Sequence, residues 1–238
     1  MNGTTGVQVG TGRRVNVGPV TATTTYSVTA TQSCSSETDM KTVTVQVPLP
    51  VTTSLQAAVA GNAIDVHWPP SAGAAQYRVE RRSGPAWSVV ATVTTPSYHD
   101  TAVTAGRTYA YRVAALDAWG ESDSGYSNAD VATIMSFTAI TPEQDIHAGP
   151  FNEMLAGVNA VRAAVGWPAV TWADIIGPNQ PLPQPGMEIL SAHLASCRAR
   201  MNEALQALGA PVLAHVPPDL RGELVSAAHI QQVQGQVY

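Results

Sequence analysis

The 238-residue sequence predicts a multidomain protein in which two all-β units precede a mainly α-helical one. As far as residue 136, apolar residues alternate with polar ones at a period of two, which is typical of half-buried strands. From residue 137 onward they recur at i, i+3, i+4 and i+7, the spacing of one helix face. Prolines mark both breaks, and proline is rare inside strands because it has no N–H donor. The predicted units are residues 1–48, 49–136 and 137–238.

The composition favours folded, weakly acidic domains. Hydrophobic residues make up 45% of the chain, and charged residues only 12%, about half the usual share of about 25%. The formal net charge is −5, and Lys41 is the single lysine, so nucleic-acid binding through a basic face is not expected. No apolar run reaches the roughly 18 residues that span a bilayer, and the first residues lack the pattern of a signal peptide.

Residues 1–48 predict about four short strands and a polar hairpin loop at 33–39. A run of β-branched residues leads into the clearest strand, which carries Tyr26 and Val28 on one face. The stretch 18–30 resembles the later strands of bacterial Ig-like modules. The early strands of that family have no counterpart here, so the resemblance implies a partial Ig-like module.

Residues 49–136 have turn signals at the spacing of about 8–12 residues expected for a series of short strands. The predicted strands are 54–60, 63–68, 76–82, 87–93 and 108–115.

Aromatic residues recur at characteristic places in this unit. Trp68 and Tyr77 are followed by the run 103–115, which contains Tyr109. These residues, in this order, resemble a fibronectin type III domain over residues 51–134. The resemblance implies a β-sandwich with Trp68 in its core, and a tyrosine corner in which the Tyr109 hydroxyl bonds to nearby backbone. The core residues expected on this basis are Trp68, Tyr77, Tyr109, Tyr111 and Val113.

The third unit predicts two helices, one from Phe151 to Val165 and one from a cap at Ser191 through residue 208. Each is followed by a glycine, Gly166 or Gly209, with a proline two residues further on, which is typical of a helix C-terminus. Between them, four prolines predict an extended loop over residues 174–186.

The two helices belong to an internal repeat. Residues 146–172 align with residues 189–215 at a constant offset of 43, and a third copy starts near Val225. A repeat of this kind cannot bury its apolar stripe alone, so neighbouring copies are expected to stack. The segment resembles helical repeats at the C-termini of large secreted bacterial proteins.

No catalytic motif is found in the sequence, and no catalytic, cofactor-binding or metal-binding residue is predicted. His193 and His229 recur at one repeat position, where local backbone bonding is the simpler interpretation. The loop 117–124 has three carboxylates, but not the spacing of a calcium-binding EF-hand loop. His99 and Asp100 could orient a base, although a turn aspartate bonding to backbone is more common.

Five residues are candidates for an interaction surface. The rings of Trp87 and Trp119 could stack on sugars or partner side chains, or could simply cover the edge of the sandwich. Ile230, Val233 and Val237 form the apolar stripe of the incomplete last repeat.

The two cysteines fall in different units. Cys197 lies on the apolar stripe of a helix and is expected to pack as a small hydrophobe. Cys34 is either free or bonded to another chain.

The modules that the sequence resembles imply an extracellular or cell-surface protein of bacterial origin. We therefore expect a non-catalytic structural, adhesive or assembly module with protein partners, self-association into fibres through its incomplete ends, and carbohydrate as a further ligand class. The alternative is the accessory C-terminal region of a large secreted hydrolase, a glycosidase or protease, whose catalytic domain lies outside this chain.

Overall fold

The computed structural model describes residues 24–31, 38–45, 49–118, 122–138, 148–176 and 191–213. The chain divides into two compact units, Met1–Pro48 and Leu49–Tyr238.

In the first unit the described residues form an antiparallel hairpin of β1 (Thr24–Thr31) and β2 (Thr38–Val45). Threonine and valine dominate both strands, and their branched side chains suit the pleated backbone. The predicted loop is too long, because Thr38 and Asp39 already pair with β1. Polar residues at the start of a strand had been interpreted as loop. Cys34 lies outside the described residues.

The second unit begins with a β-sandwich made of two antiparallel sheets. The smaller sheet has the order β3-β4-β7, and the larger has the order β10-β8-β5-β6, with β9 also paired to β8. The strands are β3 (Gln56–Ala60), β4 (Ala63–His67), β5 (Gln76–Arg82), β6 (Trp87–Val93), β7 (Ser97–Asp100), β8 (Arg107–Leu116), β9 (Ser122–Tyr126) and β10 (Asp130–Ile134).

This topology confirms the predicted β-sandwich, and strands β5 and β6 have the predicted bounds. Strands β7, β9 and β10 were not predicted, because each has only four or five residues and little alternation of apolar and polar side chains. The long strand β8 pairs with β10 along its first half and with β9 near its end.

The sandwich core lies between the two sheets, and all five expected core residues are buried there. The Trp68 ring meets the Tyr77 ring edge to face, with centroids 5.5 Å apart. The hydroxyl of Tyr109 accepts a hydrogen bond of 2.9 Å from the Thr104 N–H, which holds the turn before β8.

The C-terminal part of the second unit contains the helices α1 (Ala148–Val165), α2 (Trp172–Ile176) and α3 (Ser191–Leu208). Gly166 and Gly209 follow α1 and α3 with φ of 87° and 72°, the left-handed conformation that glycine adopts without strain. None of the helices that the structure describes has both the length and the apolarity to cross a membrane.

Helix α2 corrects the prediction of an extended loop from residue 174. Thr171 and Asp174 bond to each other's backbone and side chain, as in a capping box, and this starts one helical turn. The turn is too short to show a helical period in the sequence.

Candidate interaction surface

Helix α1 covers the part of the outer face of the larger sheet that β8 and β10 form. Four small or β-branched side chains from β8 and β10 form what we call the docking face. Ala110 lies opposite Val131 and Thr108 opposite Thr133, and all four are buried. The two threonine hydroxyls bond to each other at 2.7 Å, so no polar group of this face is left unpaired. The small side chains let the helix approach the sheet closely.

Apolar residues from α1, α2 and α3 continue the packing away from the docking face. Ala110 and Val131 share one cluster with Phe151, Met154 and Val158 of α1 and with residues of α3. The ring of Trp172 in α2 stacks on Phe151 with centroids 4.7 Å apart.

Cys197 of α3 is fully buried in this cluster as a free thiol. Burial raises its pKa to about 12, so the thiol stays protonated and unreactive at neutral pH.

The α1 helix has a face of very small residues where it meets the chain that follows β10. A Cβ at Gly157 would lie 3.4 Å from the Phe137 ring and 4.0 Å from the sulfur of Met135. The residue 43 positions later is Arg200, which bonds to Glu203 at 3.1 Å on the surface of α3. Position 157 of α1 is thus closely packed, whereas the side chain at position 200 of α3 is partly exposed to solvent.

The hairpin between β5 and β6 caps the C-terminus of α1. The guanidinium of Arg82 donates to the carbonyl of Val165 at 2.9 Å and to that of Gly84 at 2.8 Å. The last carbonyls of a helix have no partner within the helix, and the helix dipole favours a positive charge there. Gly166 also lies against Pro85, where a Cβ would come within 3.2 Å. Helix and hairpin are therefore joined by polar and close apolar contacts together.

Next to the docking face lies a cluster that we call the arginine–aromatic stack. The guanidinium carbon of Arg112 lies 3.7 Å from the centroid of the Tyr126 ring and 4.4 Å from that of Trp87. Glu80 accepts bonds from Arg112 at 2.7 and 3.0 Å and from the Tyr126 hydroxyl at 2.6 Å. Arg78 completes the group as a donor to the same hydroxyl. Glu80 is thus the shared partner of both arginines, 2.7 Å from Arg112 and 3.6 Å from Arg78.

This stack determines the surroundings of Trp87, one of the predicted interaction residues. The side chain is half-buried, Arg112 covers its ring, and it packs against the cluster formed by the helices. Trp87 therefore lies at the junction between sheet and helices. The other candidates, Trp119, Ile230, Val233 and Val237, lie outside the described residues.

A second buried charge, Asp100, lies inside the sandwich. Its carboxylate accepts bonds from Arg81 at 2.7 Å, from the Tyr111 hydroxyl at 2.8 Å and from the Ala102 N–H at 2.9 Å. Burial raises the pKa of Tyr111 far above its usual range, and the charge of Asp100 raises it further, so the phenol stays protonated as a donor. The predicted bond from a turn aspartate to backbone is present.

His99 and Asp100 cannot act as a catalytic pair. They are successive residues of β7 and therefore point to opposite faces of the sheet. His99 pairs with Asp65 on the exposed face, where Nδ1 and Oδ1 are 2.5 Å apart.

Within the part of the chain that the structure describes, no three His, Cys, Asp or Glu residues come close enough to hold a metal ion. Asp117, from the carboxylate-rich loop, is buried, and the middle of that loop lies outside the described residues. His229 also lies outside the described residues.

Sequence reasoning missed the docking face and the role of Arg82. One signal was present: the run Thr108 to Leu116 is almost continuously apolar, which is typical of a strand buried on both faces.

No family model matches the sequence, and no curated protein matches it. Among solved structures, the chain is similar to a Fn3-like protein from Clostridium thermocellum at 28% identity, over 38% of this chain and 94% of that one, with a TM-score of 0.31. It is also similar to the sixth fibronectin type III domain of human fibronectin type III domain containing protein 3, at 16% identity, over 41% of this chain and 94% of that one, with a TM-score of 0.33. Pectate lyase PelI from Erwinia chrysanthemi matches at 20% identity over 34% of this chain and 27% of that one, with a TM-score of 0.30.

The structural neighbours are thus mainly fibronectin type III domains at low identity and partial coverage. TM-scores this low do not support an assignment of fold. The sandwich assignment therefore rests on the strand order described above.

Replacing Arg82 by alanine tests the cap on α1. We expect Arg82→Ala to lower the free energy of unfolding by about 1–2 kcal/mol, because the Val165 carbonyl loses its charged donor. Urea denaturation followed by far-UV circular dichroism measures the change. Arg107→Ala is the matched control, since Arg107 is an exposed arginine at the start of β8. Equal losses in both variants would contradict a role for the cap.

The arginine–aromatic stack predicts an acid-dependent contribution to stability. Burial alone would raise the pKa of Glu80, but the hydrogen bonds from Tyr126 and Arg112 outweigh it, and the pKa falls below its ordinary 4.5. A carboxylate whose pKa is lowered in the folded state stabilises the fold at pH values above its unfolded pKa. This stabilisation is lost as the pH falls through the folded pKa. Unfolding free energies at pH 7 and near pH 3 should therefore differ more in the wild type than in Glu80→Gln.

The control for this measurement is Glu203→Gln, which changes an exposed glutamate of α3. It should keep the pH dependence of the wild type. If Glu80→Gln also keeps it, Glu80 does not contribute as described.

Proposed function

We propose that this chain is a non-catalytic structural and protein-binding module of an exported bacterial multidomain protein. The observation that carries the proposal is the docking of α1 on the outer face of the larger sheet, which commits that face to packing. Two ion pairs described above, Arg112 with Glu80 and Arg81 with Asp100, also join charged groups that are buried or half-buried. Paired charges of this kind stabilise a fold and are poor acids, bases or nucleophiles.

The helices are proposed to be copies of one repeating unit. Asn159 accepts a bond from the Val170 N–H at 2.8 Å and donates to the Val170 carbonyl at 2.9 Å. Asn202 makes the same two bonds with Leu213, at 2.8 and 3.4 Å. Both asparagines and both partners are separated by the offset of 43 residues found in the sequence. This clamp folds the chain after each helix back along it.

The same alignment supports an interaction role for the third copy. Ile230, Val233 and Val237 correspond to Leu194, Cys197 and Met201, which are buried in α3. We propose that they bind an apolar surface of a protein partner, or of another copy of this chain.

The first unit supports self-association as well. Among the described residues of this unit, β1 and β2 pair only with each other, and a strand edge left unpaired can accept a further strand. The finer proposal is therefore an extracellular or cell-surface module that assembles into fibres through its ends, with protein or carbohydrate ligands.

An activity screen tests the absence of catalysis. The full chain, incubated with glycoside, ester and peptide substrates, should turn over none of them above the buffer blank. Turnover that is lost on replacing a histidine or a carboxylate would contradict the proposal. An accessory region of a secreted hydrolase, the alternative predicted from the sequence, would pass this screen and bind the insoluble substrate of that enzyme.

The repeat proposal predicts equal roles for Asn159 and Asn202. We expect Asn159→Ala and Asn202→Ala each to lower the free energy of unfolding by about 1–3 kcal/mol, because two backbone groups lose their partners. Gln206→Ala, at an exposed position of α3, should change it by less than about 0.5 kcal/mol. A large loss of unfolding free energy in one asparagine variant and none in the other would contradict the proposal that α1 and α3 belong to copies of one repeat.

A further inference from the structure

The edges of the two sheets are protected to different degrees. At β3, the Asn128 side chain accepts from the Leu55 N–H at 3.0 Å and donates to the Leu55 carbonyl at 3.1 Å. The carboxylate of Asp130 accepts from the Ala57 N–H at 2.9 Å. These bonds occupy the backbone groups that another strand would need, so the β3 edge is blocked.

Two further edges are short or covered. Strand β7 has four residues and directly follows Pro96, which cannot donate to a sheet. Strand β10 has five residues and is flanked by β3 and α1. Neither offers a long row of free backbone groups.

Strand β6 is different. It has seven residues, Trp87–Val93, with no charged residue and no proline, and four of the seven are β-branched. Among the described strands it pairs only with β5, so its other edge is open. Ser88, Val89 and Thr92 are exposed on it, and Val89, at 56%, is the most exposed large apolar side chain in the described part of the chain. Charges, prolines and short length are three of the devices that keep such an edge from pairing, and β6 has none of them, although it does have a bulge at Val90, opposite Val79 and Glu80 of β5.

We propose that the open edge of β6 pairs with β6 of a second copy of this chain, antiparallel and around a two-fold axis. Antiparallel pairing of identical strands is self-complementary, so one edge serves both copies. Because β6 is uncharged, the pairing brings no like charges opposite one another. It joins the larger sheets of two copies into one continuous sheet.

The proposed contact buries little surface, and this limits the affinity of the dimer. Seven residues at about 3.4 Å each give an edge about 24 Å long. A single strand pair of this length buries less surface than the roughly 1,200 Å² of stable complexes. The dimer is therefore weak and forms with rising concentration, in the micromolar to millimolar range. The packing of Trp87 against the helices limits the contact at one end of the strand.

Sedimentation of the full chain between about 5 and about 500 µM tests the proposal. The wild type should shift from monomer toward dimer as its concentration rises. Val89→Lys should weaken the association at least about tenfold, because it places an ammonium group on each of the two paired edges, where like charges repel one another. Thr92→Lys, at another exposed position of the strand, should do the same. Urea denaturation verifies that each variant remains folded.

Val51→Lys is the matched control. Val51 is a similarly exposed valine, at 49%, that lies outside the strands, so this variant should associate like the wild type. A wild type that stays monomeric throughout the range overturns the proposal. So does association that survives both lysine variants in β6, since it would come from another surface such as the β1–β2 hairpin. Equal weakening by Val51→Lys would also overturn it.

Discussion

The second unit depends on one constraint: the strands β8 and β10 must be buried on both faces. Their inner side chains fill the sandwich core, and their outer side chains form the docking face beneath α1. A strand in this position can carry charge on neither face without a partner, because an unpaired buried charge is very costly. Small outer side chains such as Ala110 follow from this, since a larger residue would hold the helix away from the sheet. Part of the low charge fraction of the chain has the same origin.

The polar groups around this junction follow the same logic. Arg82 is placed where α1 ends and its carbonyls need donors, and Arg112 is placed where the docking face gives way to solvent, between two aromatic rings and Glu80. Arg82 donates to carbonyls and Arg112 to a carboxylate, and the flat face of Arg112 also covers two aromatic rings. The charged groups of this region therefore act as structural connectors, which is why we infer binding and assembly rather than catalysis.

The sequence predicted local structure better than the packing between elements. Strands β5 and β6 were predicted residue for residue, because clear turn signals bound them on each side. Helix α2 and strand β7 were missed because one turn of helix, or four residues of strand, has no measurable period. Alternation places Ala110 on the outer face of its strand, but nothing local indicates that helix α1, which begins at Ala148, covers that face. The cap by Arg82 could not be predicted from the sequence either, because its partner Val165 is 83 positions away.

Hydrogen exchange of the native full chain tests most directly whether helix and sandwich are one cooperative body. Backbone amides in the middle of α1, such as that of Val161, should exchange with the same opening free energy as amides of β8, such as that of Val113, because the helix cannot leave without exposing the docking face. Exchange in α1 that is much faster than in β8, with a lower opening free energy of its own, would show that the helix moves independently and would contradict the account.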